Sequence, residues 1–261
     1  MANGSALFFQ AEMWILINYP GLPMAKATLY LIPTLLGNGY PPERVLPEGT
    51  LKVIQRLDHF IAEEIKTARR FLKRIGIPKP MESLHFHVYN EHSNPEDLLE
   101  AMHPLLEGLD TGLLSEAGMP CIADPGEAIV LQAHKQHIRV VPLSGPSSVL
   151  LALMASGFNG QRFAFHGYLP VERVARIHKI KELERLIRMQ DQTQIFIETP
   201  YRNLVLFDTI IHTCSNDLLL CIARELTTDH EKVETSSIQE WRTKTPDLNR
   251  KPAVFLLYHQ K

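Results

Sequence analysis

Apolar residues along this chain fall in short runs that alternate with longer amphipathic stretches. Short apolar runs bounded by turn residues are typical of buried strands, and apolar residues at every third or fourth position are typical of helices. Their regular alternation predicts an α/β fold with mostly parallel or mixed sheets. The predicted strands are 28–32, 59–62, 84–88, 111–114, 138–142, 163–165, 194–197, 218–223 and 252–258. The predicted helices are 65–75, 95–106, 125–134, 147–156, 171–189 and 201–212.

The clearest boundary is the Pro/Gly/Ser-rich segment 142–146, which separates two series of predicted elements. Such segments typically connect compact domains, and 261 residues is a length expected for two. We therefore predict two small α/β domains, an N-terminal one at 24–143 and a C-terminal one at 144–261. Residues 1–23 are expected to be a start-codon artefact with Met24 as the working start; the alternative is a genuine extension that packs on a partner.

Composition narrows the function classes. The formal net charge is -2 and the pI is about 6.6, which argues against a protein that coats nucleic acid by bulk charge but leaves room for a local basic patch. Cys121, Cys214 and Cys221 form no CxxC pair, so neither a disulfide framework nor a zinc site is predicted, and a reducing compartment fits best. No apolar run reaches the roughly 18–20 residues of a membrane span.

Three strand ends open directly into helices, and ligands of open α/β sheets bind where strands end. At the first of these junctions, Asp124 is predicted as the N-cap, with Pro125 as the first helical residue and Glu127 at the third position. The junctions at 145–148 and 199–202 have a similar pattern. Each cap taken singly is also how an ordinary helix begins.

The segment 115–120 (SEAGMP) leaves a predicted strand and turns through small residues. Small residues let the backbone approach a ligand closely. Neither a Walker A loop nor a GxGxxG follows the first strand, so the usual nucleotide fingerprints are absent. The loop 33–39 is too rich in proline and too poor in glycine to cradle a pyrophosphate.

An ordered set of short motifs resembles the tetrapyrrole methylase superfamily. The motifs are LYLIPT with GN in 29–38, SEAGMP with DPG in 115–126, PLSGPS in 142–147, ETPYR in 198–202 and ARELT in 223–227. Within the superfamily, the likeness is greatest to the branch that methylates the ribose 2′-hydroxyl of small-subunit ribosomal RNA. No single motif is decisive; their order and spacing over nearly the whole chain carry the resemblance.

The resemblance implies a cytoplasmic homodimer of two-domain subunits that binds S-adenosylmethionine in the cleft between domains, with ribosomal RNA or the small ribosomal subunit as partner and with no metal and no membrane. The expected cofactor-binding residues are Pro33, Ser115, Glu116, Ala117, Gly118, Met119, Pro120, Ile122, Ser147, Ser148, Ala223, Pro252 and Ala253. The expected substrate-binding residues are Asn38, His87, Arg69, Arg70 and Arg202.

Methylation of a ribose hydroxyl needs a group that removes or polarises its proton. Glu63, at a predicted strand end and close in sequence to Lys66, is the first candidate, and these two residues are expected to be catalytic. Glu198 and Glu225 are further candidates. Each of these carboxylates has an alternative role as a helix cap or as the partner of an arginine. His87 titrates near neutral pH and is a further candidate base, although an isolated histidine at a strand end is more often a polar residue with satisfied hydrogen bonds.

A basic stretch follows Glu63 on one predicted helix. Lys66, Arg69, Arg70, Lys73 and Arg74 recur at helical spacing and therefore share a face. Such a face is suited to binding RNA phosphates. The alternative is a solvated helix face without a partner.

The chain departs from the superfamily pattern near the expected contacts. Leu35 and Ser144 replace prolines, Glu116 replaces aspartate, Met119 replaces threonine and Lys66 replaces arginine. An ammonium group is not equivalent to a fork-shaped guanidinium for binding phosphate. Two alternatives therefore stay open: a methyltransferase of a small molecule such as a tetrapyrrole precursor, and a non-catalytic dimeric binding module of the same fold.

Overall fold

The computed structural model describes residues 27–259. The predicted N-terminal extension and Met24 lie outside the described residues. The described residues divide into two compact units: one contains 27–35 and Pro41–Pro146, and the other contains Leu36–Tyr40 and 147–259. The short segment Leu36–Tyr40 thus belongs to the second unit, an exchange that no local pattern indicates.

Within the described residues, the first unit contains a five-stranded sheet in the order β3-β2-β4-β1-β5, with every pairing parallel. Its strands are β1 (Thr28–Ile32), β2 (His59–Ala62), β3 (His85–Val88), β4 (Thr111–Leu114) and β5 (Arg139–Pro142). Its helices are α1 (Pro42–Val45), α2 (Glu48–Arg56), α3 (Ile65–Arg74), α4 (Pro95–Leu106) and α5 (Glu127–Lys135), with a 3-10 turn at Met81–Ser83.

Helices cover both faces of this sheet. On one face α2 and α3 pack through Ile54 and Phe71 against Phe60 of the sheet. On the other face α4 and α5 contribute Met102 and Ile129 to a second core. In a parallel sheet that is covered on both faces, the side chains on both faces are buried. Consecutive residues of β1 and β4 are therefore mostly apolar and buried.

The chain leaves β1 and β4, which are neighbours in the sheet, toward opposite faces. The connection after β1 leads to α2, and the connection after β4 leads to α5 on the other side. Adjacent strands whose connections diverge form a topological switch point, the usual ligand-binding position of open α/β sheets. The loops that follow Ile32 and Leu114 lie at this point.

The second unit contains, in its described part, a mixed sheet in the order β6-β7-β10-β8-β9. The β6–β7 pair is parallel and the other three pairs are antiparallel. Its strands are β6 (Phe163–Tyr168), β7 (Thr193–Ile197), β8 (Leu219–Arg224), β9 (Lys232–Ser237) and β10 (Ala253–Tyr258). Its helices are α6 (Ser148–Ser156), α7 (Arg173–Gln190), α8 (Asn203–Thr213) and α9 (Ile238–Trp241).

Two cores also form in this unit. The larger one joins α7, α8 and α9 to one face of the sheet through Leu183, Phe207 and Trp241. The smaller one places α6 on the other face through Val149 and Ala152. Among the described residues, none of the helices combines the length and the apolar character that crossing a bilayer requires.

The α/β fold class is confirmed in both units. The pattern did not predict α1, α2, β9 or α9. The strand β9 was missed because its sequence, KVETSS, is polar and pairs only along one edge, with β8. The helix α2 was missed because it is short, begins without a capping side chain and contains a glycine.

Candidate functional site

The turn 115–120 is anchored on the loop after β1. The Thr34 backbone N–H donates to the Gly118 carbonyl (2.8 Å), and the Ser115 hydroxyl donates to the same oxygen (2.5 Å). The Thr34 and Ser115 hydroxyls are 3.1 Å apart, and both residues are buried. Gly118 has φ +84°, a conformation that costs glycine little and other residues more. The inner side of the turn is therefore fixed by buried hydrogen bonds.

The side chains of this turn differ in exposure. Ala117 is exposed, Glu116 and Met119 are partly buried, and Pro120 is buried. Ile122, just beyond the turn, is 50% exposed, which is unusual for a large apolar side chain. A ligand at this place would therefore meet Ala117 and Ile122 rather than the Gly118 carbonyl, which already accepts two hydrogen bonds.

Asp124 anchors the outer side of the same turn. Its Oδ2 accepts from the Glu116 backbone N–H at 3.2 Å, and the Ala117 N–H also donates to this carboxylate. The prediction that Asp124 caps a helix is wrong. The helix begins at Glu127, two residues later than predicted, and Gly126 is its N-cap with no side-chain hydrogen bond. The cap moves because the Asp124 carboxylate turns back to the amides of the preceding turn.

Three carboxylates come close together around this turn. Burial raises the pKa of Asp124 to about 6, and the nearby Glu63 carboxylate adds to the rise. The pKa of Glu116 is raised by burial first and then by Glu63, while the Thr67 hydroxyl partly offsets this. Burial and the charge of Glu91 raise the pKa of Glu63. The structure thus brings Glu63 and Glu116, two residues predicted for the site, into one electrostatic cluster with Asp124.

The N-terminus of α3 is capped by Glu64, not by Glu63. The Glu64 carboxylate accepts from the backbone N–H groups of Lys66 and Thr67, each at 3.0 Å. It also accepts from the Thr67 hydroxyl at 2.7 Å. The capping alternative is therefore wrong for Glu63, which follows β2 directly.

The basic face of α3 is exposed. Lys66, Arg69, Arg70 and Lys73 point to solvent, and the opposite side of the helix buries Ala68, Phe71 and Leu72. The Arg69 guanidinium also lies 5.3 Å from the centre of the Phe86 ring. The structure therefore places a row of cations on the helix that begins next to Glu63.

His87 belongs to a group of histidines on β2, β3 and α4. The His59 ring stacks on His85 with 4.7 Å between centroids and lies 6.3 Å from His87. Both His87 ring nitrogens are buried and have no hydrogen-bond partner among the described residues. Burial, followed by the charge of His59, lowers the pKa of His87. The expectation of a polar residue with satisfied hydrogen bonds is therefore wrong.

Several predicted cofactor residues lie in the second unit. Ser147 caps α6 and accepts from the Leu150 N–H at 3.4 Å, and Ser148 is the first residue of that helix. Ala223 and Ala253 lie in the paired strands β8 and β10. The Pro252 carbonyl accepts from the Glu225 N–H at 3.0 Å. Their predicted roles in cofactor binding stay predictions.

Asn38 lies on the segment that joins the second unit. The neighbouring glycines pack tightly there: a Cβ on Gly37 would lie 2.9 Å from Thr228 Cγ2, and one on Gly39 would lie 2.6 Å from Thr228 Cβ. Glycine is therefore required for this close approach. The role of Asn38 in substrate binding stays a prediction.

Arg202 forms an ion pair with a buried carboxylate. Glu198 Oε1 accepts from Arg202 Nη2 (2.6 Å), Arg202 Nε (3.0 Å) and the Thr199 N–H (2.7 Å). Glu225 pairs with Arg224 at 2.7 Å and with Lys251 at 3.2 Å. Glu198 and Glu225 are thus partners of arginines, as the alternative role predicted. Of the three carboxylates considered as the base, Glu63 has no ion pair within the described structure.

Comparison with known proteins adds to this geometry. Residues 28–241 match the family of Tetrapyrrole (Corrin/Porphyrin) Methylases. The chain is 32% identical to ribosomal RNA small subunit methyltransferase I of Vibrio cholerae serotype O1 over 91% of this chain and 79% of the relative. It is 31% identical to the same enzyme of Haemophilus influenzae over 88% and 77%, and 32% identical to that of Escherichia coli O157:H7 over 83% and 71%.

Two solved structures share the fold. The methyltransferase CobJ aligns with a TM-score of 0.59 at 17% identity, covering 90% of this chain and 94% of that one. Diphthine synthase aligns with a TM-score of 0.61 at 14% identity, covering 90% and 91%. Together with the named relatives, the family match defines the class of protein as a methyltransferase. The chain belongs to the tetrapyrrole (corrin/porphyrin) methylase family, and the resemblance seen in its motifs is confirmed.

Proposed function

We propose that this protein is an S-adenosylmethionine-dependent methyltransferase of small-subunit ribosomal RNA that acts on a ribose 2′-hydroxyl. The observation that carries the proposal is the similarity, at about a third identity, to ribosomal RNA small subunit methyltransferase I over 91%, 88% and 83% of this chain in three bacteria. The proposal includes a homodimer and a cytoplasmic location, where ribosomal subunits are assembled.

The turn 115–120 suits this cofactor in charge and in shape. A sulfonium is a cation, and the neighbouring carboxylates of Glu63, Glu116 and Asp124 repel one another until a cation offsets their charge. The exposed Ala117 leaves room for close approach. When bound, the cofactor supplies an activated methyl group. The protein must then hold the acceptor oxygen within about 3–3.5 Å of that group, in line with the bond that breaks.

Glu63 is the proposed base for the ribose hydroxyl. Its pKa is raised by burial and by Glu91, so its carboxylate binds a proton more readily than an ordinary glutamate does. Lys66 lies on the first turn of α3, where its ammonium group is exposed. We propose that Lys66 holds a phosphate next to the reacting ribose. Glu63→Gln should lower kcat by a much larger factor than it weakens cofactor binding, since the base is lost while two of the three neighbouring carboxylates stay.

The basic face of α3 is the proposed RNA-binding surface. Reversing Arg69 and Arg70 to glutamate should lower methylation of ribosomal subunits steeply. The slope of log affinity against log salt should fall by about one for each phosphate that the variant no longer binds. The matched control reverses Lys181 and Arg185 on α7, which are also exposed. Equal decreases in the two double variants would contradict a specific role for α3.

Methyl incorporation into small ribosomal subunits from a strain that lacks the orthologous activity tests the substrate directly. We expect one modified nucleotide, which resists alkaline cleavage because its 2′-oxygen is blocked. Transfer to a tetrapyrrole precursor with none to RNA would favour the small-molecule alternative. Calorimetry that detects no cofactor binding at all would favour a non-catalytic binding module.

A further inference from the structure

The turn proposed to hold the cofactor has two anchors, and the outer one depends on Asp124, which is not among the predicted cofactor-binding residues. The inner anchor is the set of hydrogen bonds among Thr34, Ser115 and Gly118. The outer anchor is the Asp124 carboxylate, which accepts from the backbone N–H groups of Glu116 and Ala117. The outer anchor thus holds the two residues at the start of the turn, including the exposed Ala117.

The backbone on both sides of Asp124 is held in conformations that side chains disfavour. Cys121 has φ +64° and Ala123 has φ +61°, although neither is glycine. Residues other than glycine in such conformations are strained and persist where the surrounding structure enforces them, often at functional sites. Gly126 has φ +132°, and a Cβ on it would lie 2.8 Å from Leu113 Cδ2. This loop is therefore shaped to direct the Asp124 carboxylate toward the turn.

The surroundings of Asp124 disfavour the ionised form of its carboxylate. Burial opposes its charge, as does Glu63, while the two amide donors favour that charge. Glu116 belongs to the same group of carboxylates. Burial, and then the charges of Glu127 and Asp124, raise the pKa of the Cys121 thiol. A carboxylate that served only to begin α5 would lie at the N-cap, where solvent and the helix N-terminus stabilise its charge. Asp124 is displaced from that position and contacts the turn instead.

We propose that Asp124 is a positioning residue for the cofactor: its carboxylate holds the amides of Glu116 and Ala117 and so fixes the shape of the turn that contacts the bound cofactor. The inference rests on the proposed function. Asp124 touches the turn and not the reacting atoms. Its removal should therefore weaken cofactor binding and leave the chemical step on bound cofactor nearly unchanged.

Binding should also depend on pH through this residue. Protonated Asp124 is a weaker acceptor for the two amides, and a cation favours the ionised form of the cluster. Affinity should therefore fall as pH decreases through about 6, the value to which burial raises the pKa of Asp124. The other carboxylates of the cluster whose pKa is raised are Glu63 and Glu116. Burial raises the pKa of the nearby Cys121 thiol to about 11, so it stays protonated over this range.

Calorimetry with S-adenosylmethionine, without RNA, on the full chain between pH 5.5 and 8 tests the inference. Asp124→Ala should weaken binding by about tenfold or more, the decrease expected when hydrogen bonds to a charged group are removed. Asp124→Asn keeps an acceptor oxygen, so it should restore most of the affinity at pH 8 and show a flatter pH profile than the wild type. Glu127→Gln, an exposed neighbour, is the matched control and should behave as the wild type.

The outcomes separate the two proposals. Wild-type protein that binds no cofactor would overturn the proposed function and this inference with it. A wild type that binds, with Asp124→Ala binding equally well and with the same pH profile, would overturn the inference alone. If Asp124→Ala does not fold, the comparison of Asp124→Asn with the wild type decides, because a purely structural role predicts parallel pH profiles for the two.

Discussion

The hydroxyls of Thr34 and Ser115 lie 3.1 Å apart, although 81 residues separate them in the chain. Ser115 uses its only hydroxyl hydrogen for the Gly118 carbonyl, so the Thr34 hydroxyl must be the donor between the two. This buried pair joins the loop after β1 to the loop after β4 at the switch point of the sheet. The carboxylates of the proposed site are grouped beside this junction.

Ser115→Ala should destabilise the first unit by about 1–3 kcal/mol, since it leaves the buried Thr34 hydroxyl without an acceptor at that position. It should also weaken cofactor binding, because the Gly118 end of the turn loses one of its two anchors. Unfolding in urea and calorimetry measure the two effects. Ser83→Ala removes an exposed hydroxyl that donates to the Pro80 carbonyl and should cost less than about 0.5 kcal/mol. Equal costs for the two variants would contradict the importance of the buried pair.

The sequence pattern predicted most helices and strands because the spacing of apolar residues along the chain already distinguishes a buried strand from an amphipathic helix. β1, β2 and β4 have the predicted bounds. The role of Asp124 was not predictable in this way, since Asp-Pro-Gly before a helix is the same local signal whether the carboxylate caps that helix or turns away. The choice depends on the φ of Gly126 and on its contacts with Leu113, which are tertiary.

The histidine group should make the fold less stable in mild acid. Burial lowers the pKa of His59 and His87 below 6.5 in the folded protein, so the unfolded chain binds more protons as pH falls below about 6.5. Stability should therefore be lost from that pH down to the lowered folded pKa and change little above it. His87→Phe should reduce this loss, measured as the difference in Tm between pH 8 and pH 5.

The control for this experiment is His92→Phe. His92 is 85% exposed in its side chain, so its replacement should leave the pH dependence of Tm unchanged. The carboxylates of Glu63, Glu116 and Asp124 affect stability in the opposite direction. Because their pKa is raised in the folded protein, their contribution to stability falls as pH rises. The comparison must therefore be between variant and wild type. A wild-type loss that His87→Phe leaves intact would assign the acid sensitivity to other groups.

Arg202→Ala should destabilise the second unit by on the order of 3 kcal/mol. The Glu198 side chain is 1% exposed and would keep only the Thr199 N–H as a donor, while Arg202 itself is 35% exposed, which places the cost at the low end for a buried pair. Lys52→Ala breaks an exposed pair with Glu48, whose side chains are 70% and 79% exposed, and should cost less than about 1 kcal/mol. If Arg202→Ala instead abolished methylation with an unchanged Tm, the predicted role in substrate binding would be favoured over a structural role.

Gly112 is required in β4 by packing and not by backbone conformation. A Cβ there would lie 2.3 Å from Ile32 Cδ1, 3.1 Å from Leu57 Cδ1 and 3.3 Å from Phe60 Cδ1, in a fully packed core. Gly112→Ala should therefore cost about 1–3 kcal/mol through overpacking. Gly49→Ala is the matched control: nothing lies within 4 Å of its Cβ position. Gly49 is the second residue of α2, so the variant should stabilise by less than the roughly 0.5–1 kcal/mol expected in the middle of a helix. Urea unfolding of both variants should shift in opposite directions, and a stabilised Gly112→Ala would show that Ile32 can move aside and that the strand needs no glycine.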